Sequence, residues 1–207
     1  MKWSFFIVYL LMWNFSHGQK LSGTWQGIIN TVDVKNELSV NGSWIYLDMS
    51  IVKGMIDGKI RHETLDQFYI YEVVGRTLEN GHLEITETKL GIKSKLIVPQ
   101  EKQQFDFYYD AKKGYLIGET KDKKSTLTLY KAAINILEKT PNILSSHQLE
   151  KFQQELADGL SSPEKRLEEL RSFKFEPIYF DYDKDQIQAQ YEAYLIEMIR
   201  MVKSHSD

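Results

Sequence analysis

Residues 103–131 read QQFDFYYDAKKGYLIGETKDKKSTLTLYK. Phe105, Phe107 and Tyr109 alternate with Gln104, Asp106 and Tyr108, and Leu127 and Leu129 alternate with Thr126 and Thr128. A period of two puts the two sets on opposite faces of a pleated strand. The stretch therefore reads as three short runs, 103–111, 115–121 and 125–131, reversing at Gly114 and at the charged residues before Ser125. Such runs predict consecutive antiparallel strands with one face turned inward.

Working back towards the N-terminus, the same punctuation recurs. Runs 21–31, 43–53, 55–64, 68–78 and 82–92 are rich in aromatic and β-branched residues. Asn80-Gly81 can take positive φ at both central positions of a hairpin, and Gly54, Gly58 and Gly114 are expected at neighbouring reversals. Eight sequential strands with short turns predict an up-and-down antiparallel barrel spanning residues 19–132. Charges occur on both faces of these runs, as in Glu84 and Glu87 or Glu119 and Lys121. A lipid-facing band would have to bury some of them, so a water-soluble barrel with an apolar inside is expected.

Gly23-Thr24-Trp25, within LSGTWQG, resembles the Gly-x-Trp signature of lipocalins and related calycins. In those families the tryptophan closes the base of the barrel, and an arginine near the last strand packs over it. Here Lys131 is the nearest basic side chain to that position. The resemblance implies an interior able to take an apolar small molecule, with Trp25, Phe105, Phe107 and Leu127 as candidate ligand-binding residues. The same residues also suit a packed core, because small barrels fill their interiors with side chains.

Beyond Tyr130 the period changes. Leu149, Phe152, Leu156 and Leu160 recur at helical spacing, with Ser146 as a cap and Gly159 near the stop. A second helix is expected with Ser162 as N-cap, Pro163 at its first position and Leu167 and Leu170 on one face. Residues 133–174 thus form a helical connector. The last stretch, 175–207, predicts a strand from Ile178, Tyr179, Phe180 and Tyr182, an acidic turn, and a helix starting at Asp185. Its apolar stripe is Ile187, Tyr191, Leu195, Met198 and Val202. The run from Ile178 through Asp183 resembles the opening of the OmpA-like peptidoglycan-binding domain, Phe180, Asp181 and Asp183 matching its structural motif. The resemblance implies an incomplete domain here and a peptidoglycan partner only when that domain is completed; the uncovered apolar stripe is expected to dock on the connector helices, to self-associate with another copy through the C-terminal helix, or to stay partly unfolded.

The first eighteen residues, with Lys2, an apolar core from Trp3 to Trp13 and Ser16-His17-Gly18, read as a secretory signal peptide. Export to the periplasm, or association with an outer membrane, is the expectation. Lys and Arg number 26 against 29 Asp and Glu, a formal charge of -3, which leaves no basic footprint for nucleic acid. Without cysteine there is neither a disulfide nor a thiol nucleophile. The five histidines are scattered singly, with no metal-ligand spacing between them. Asp181, Asp183, Asp185 and Glu192 have the spacing of a calcium loop, but Gln186 stands where its sharp turn needs glycine. No catalytic residue, cofactor or metal is therefore expected. The expected function is that of a non-enzymatic cell-envelope protein of OmpA type. The alternative is a periplasmic or secreted lipocalin-like binder of an apolar small molecule.

Overall fold

The computed structural model describes residues 21–31, 42–64, 67–94, 101–137, 146–180 and 187–205. The signal-peptide reading, and the acidic turn with Asp181, Asp183 and Asp185, lie outside the described residues.

Eight strands form one closed antiparallel barrel: β1 (Gly23–Thr31), β2 (Ser43–Val52), β3 (Met55–Thr64), β4 (Gln67–Thr77), β5 (Leu83–Lys93), β6 (Gln104–Asp110), β7 (Tyr115–Thr120) and β8 (Ser125–Lys131). Each pairs with its neighbour in sequence, and β1 closes on β8 through Trp25 opposite Lys131 and Thr31 opposite Ser125. The alternation is realised as side-chain direction. Ile45, Leu47 and Met49 of β2, Phe105 and Phe107 of β6, and Leu127 and Leu129 of β8 enter one buried core. Between them, Asp48 and Tyr108 are exposed.

Turn chemistry differs from expectation in two places. At Asn80-Gly81 only Gly81 takes a positive φ, of 83°, while the Asn80 side chain instead accepts the His82 amide at 3.1 Å. Gly58 is not at a reversal but within β3, opposite Met49. A Cβ there would lie 2.1 Å from the Asp48 carbonyl oxygen, so glycine is what lets the two backbones close up.

Two helices pack on the outside of the barrel. In α1 (Ser146–Ala157), Phe152 is buried with Ile28, Trp44, Tyr46, Tyr115 and Ile136, and Leu149 and Leu156 flank it. Ser146 is the first helical residue rather than the cap. In α2 (Pro163–Ser172), Ser162 is the N-cap as expected, its hydroxyl accepting the Lys165 amide. The Ser162 amide donates to the Lys113 carbonyl at 2.7 Å, tying the helix start to the β6–β7 turn. Arg166 of α2 holds Glu155 of α1 at 2.9 Å. A second fastening lies on β3, where Arg61 pairs with Glu63 at 2.7 Å, donates to the Ile136 carbonyl at 3.1 Å and sits over the Phe68 ring.

The tail departs from the predicted strand and helix. Residues 173–180 form no strand. Helix formation starts with a 3-10 turn at Ala189–Tyr191 and continues as α3 (Glu192–His205), so it begins well after Asp185. A strand exists only through hydrogen bonds to a partner. In place of a ladder, the Glu176 amide donates to the Tyr194 hydroxyl at 2.7 Å and Phe173 stacks on the Tyr194 ring. Phe175, Tyr179 and Phe180 are exposed.

Candidate ligand site inside the barrel

The two ends of the barrel are built differently. At one end the connections are residues 53–54, 78–82 and 111–114; at the other they are 32–42, 65–66, 94–103 and 121–124. The end with short connections is plugged. Trp25 is 1% exposed, its indole N–H donates to the Leu21 carbonyl at 2.9 Å, and Tyr109 meets it edge-on. The Lys131 ammonium lies 5.4 Å from the indole centroid and donates to the Ser22 carbonyl at 2.9 Å. Trp25 and Lys131 face each other across the β1–β8 ladder, so both side chains emerge on the inner face.

The middle of the interior is apolar. Trp25, Phe105, Phe107 and Leu127, the residues singled out as ligand contacts, all enter the same buried cluster. Phe107 covers Gly118 of β7: a Cβ at that glycine would lie 2.3 Å from the ring. These four side chains are packed core residues at least as much as a lining.

The end with the longer connections is polar inside. His62 follows Ile56 and Ile60 in the inward set of β3, and Glu87 follows Leu83 and Ile85 in that of β5. The fold brings them together: His62 Nε2 and Glu87 Oε1 are 2.6 Å apart, both side chains buried. Glu87 Oε2 accepts the Gln103 amide at 2.8 Å, and the Glu87 amide donates to the Gln103 carbonyl at 3.0 Å. Tyr69, opposite His62 in the β3–β4 ladder, stacks on its imidazole with ring centroids 4.7 Å apart, and Tyr71 meets Tyr69 edge-on. Burial, reinforced by the negative charge of Glu87, pushes the Tyr69 and Tyr71 hydroxyls above the ordinary tyrosine range. Both stay protonated and able to donate across the physiological range. Beside Gln103 a shallow depression of about 440 Å³ is lined by residues 101–104 and 120–122. Gln103 Oε1 is buried there without a hydrogen-bond partner among the described residues.

Reading the histidines as single residues missed this pair, because 25 positions separate the partners. The available signal was parity: each is a polar residue at an inward position of an otherwise apolar alternation. A second pair, His82 with Asp106 at 2.7 Å, is half-exposed on the outer face.

No protein-family model, curated protein or solved structure matches the chain. Its class is thus defined by its own geometry: an eight-stranded antiparallel up-and-down β-barrel with helices packed against its outer wall.

Proposed function

We propose that this protein is a lipocalin-like binding barrel that takes up a small, largely apolar molecule through the end bearing the longer connections. The observation that carries the reading is the asymmetry of the interior. One end is stoppered by Trp25 under Lys131, and the other places His62, Glu87 and Tyr69 on the inner wall above an apolar middle. Small-molecule sites combine an apolar lining with a few convergent polar groups in this way. The Trp25–Lys131 contact also matches the basic-residue-over-tryptophan closure implied by the Gly-x-Trp resemblance, with lysine in place of arginine. Exposed Asp48, Asp57, Glu72, Arg76 and Glu119 around the barrel support a water-facing outer wall, since charges on a lipid face are costly.

Titration of the full chain with a neutral apolar fluorophore, N-phenyl-1-naphthylamine, tests the proposal. One saturable site per chain, emptied by apolar competitors, is the expected result. Absence of saturable binding overturns it and leaves the barrel as a filled scaffold.

The envelope reading of the tail has different support: the motif at Phe180, Asp181 and Asp183, and the exposure of Phe175, Tyr179 and Phe180, which a covering partner would bury. On that reading this chain is expected not to be retained on purified peptidoglycan sacculi; specific retention, lost when residues 175–207 are deleted, would show that the tail binds without the remainder of the domain.

A further inference from the structure

Helix α3 is apolar on two faces, and the chain itself covers one of them. On the covered face Tyr194 stacks on Phe173, Met198 is half-buried and Met201 is 2% exposed, where the helix packs against α2 and Arg200 reaches Glu169 at 3.8 Å. On the opposite face Ile196 and Ile199 are 69% and 51% exposed, and Val202 beside them is 55% exposed. A helix lying on a globular surface ordinarily turns charged or polar residues outward, so this second stripe marks a contact surface.

We infer that a second copy of the chain covers the stripe, the two α3 helices lying antiparallel about a two-fold axis that passes between Ile196 and Ile199. Register selects this occupant. Glu192, Ile196, Ile199 and Lys203 are spaced 4, 3 and 4 residues apart, the seam spacing of a helix pair. That spacing reads the same in both directions. A two-fold contact requires residue i to meet j while j meets i. Turning α3 end for end about the axis sets Ile196 beside Ile199 of the second copy and Glu192 beside its Lys203, and does so twice. Glu192 and Lys203 are exposed and form no ion pair among the described residues, whereas Glu197 and Arg200, off the seam, already pair with each other at 2.7 Å. A parallel arrangement would instead set Glu192 against Glu192 and Lys203 against Lys203, repulsive at both ends. The helix has 14 residues and is about 21 Å long. So short a contact falls below the standard interface size, and a dissociation constant on the order of tens of micromolar is expected. The pairing holds whether or not the barrel binds a ligand, because α3 forms none of the barrel wall.

Sedimentation equilibrium of the full chain between about 1 and about 500 µM tests the inference. The parent is expected to pass from monomer to dimer across this range. Ile196→Ser, a change at an exposed position, should leave the melting temperature of the dilute chain unchanged and raise the dissociation constant at least about tenfold, because two-fold symmetry counts each change twice. Ile199→Ser should do the same. Lys203→Glu and Glu192→Lys should each weaken self-association about threefold or more. An equimolar mixture of these two charge variants should pair more tightly than either alone, since only the mixed dimer has opposite charges at both ends. A parent still monomeric at about 500 µM, serine variants that dimerise as tightly as the parent, or charge variants no weaker than the parent would each overturn the inference. So would adsorption of a monomeric parent to phosphatidylcholine vesicles that is lost in Ile196→Ser, which would give the stripe to a lipid surface.

Discussion

Lys131 holds its ammonium over the indole of Trp25 while giving a hydrogen bond to the Ser22 carbonyl, so one side chain of the last strand latches the first. The latch joins β8 to the segment that precedes β1 at the plugged end of the barrel, where the indole N–H already binds Leu21. Trp25→Ala should cost about 3–5 kcal/mol, the usual range for truncating a buried aromatic. Lys131→Met keeps the aliphatic stem and loses the charge, and should cost about 1–2 kcal/mol; Lys131→Arg should restore most of it. Urea denaturation followed by tryptophan fluorescence measures all three. A Trp25→Ala protein as stable as the parent would show that the plug is not structural.

The Arg61–Glu63 pair is buried on the outer face, beneath residues that lead to the helices. Removing either partner leaves a buried charge uncompensated, so Glu63→Gln or Arg61→Met should each cost about 3–5 kcal/mol. Replacing both by apolar residues, as Arg61→Met with Glu63→Leu, should be less damaging than the sum of the single changes. A double-mutant cycle by chemical denaturation gives the coupling, and strict additivity would contradict it.

Gly118 leaves room for the Phe107 ring and for little else. Gly118→Ala should destabilise by about 1–3 kcal/mol through overpacking, and Phe107→Leu in the same chain should recover part of the loss. Thermal melts of the two single variants and the double variant decide the matter. If Gly118→Ala melts with the parent, the ring has space that the packing does not show.

Alkaline pH should loosen the contact between barrel and helices. Burial pushes Tyr115 up to about 12, with opposing effects from Arg166 and Glu155 nearby, and raises Tyr130 in the same interface. A tyrosine whose folded-state pKa lies above its unfolded value near 10 contributes stability that is complete below pH 10 and is lost as pH rises through 12. Stability should therefore fall across that window, with tyrosinate absorbance appearing together with unfolding. Tyr115→Phe should soften the fall. It should also be neutral or stabilising at pH 7, because the Tyr115 hydroxyl is buried without a hydrogen-bond partner among the described residues. A loss of more than about 1 kcal/mol at neutral pH would show that the hydroxyl matters.

The barrel was legible because its information is local. Alternation in Phe105, Phe107 and Tyr109 sets the inward face of β6, glycines at 54, 81 and 114 mark reversals by taking positive φ, and each strand pairs with its neighbour in the chain. Ser162-Pro163 likewise announces the start of α2 through backbone chemistry confined to one turn. What stayed hidden depends on partners distant in sequence. Gly58 looks like a turn residue until Asp48 is brought against it, and 175–182 looks like a strand although the described part of it finds no ladder. His62 and Glu87 become a pair only when barrel closure turns their separate strands inward at the same end. Period and turn chemistry thus determined by themselves that this chain makes an eight-stranded barrel. Which polar side chains meet inside it, and which atoms are left without partners, was decided by three-dimensional closure, since hydrogen bonds depend on distance in space and not on separation along the chain.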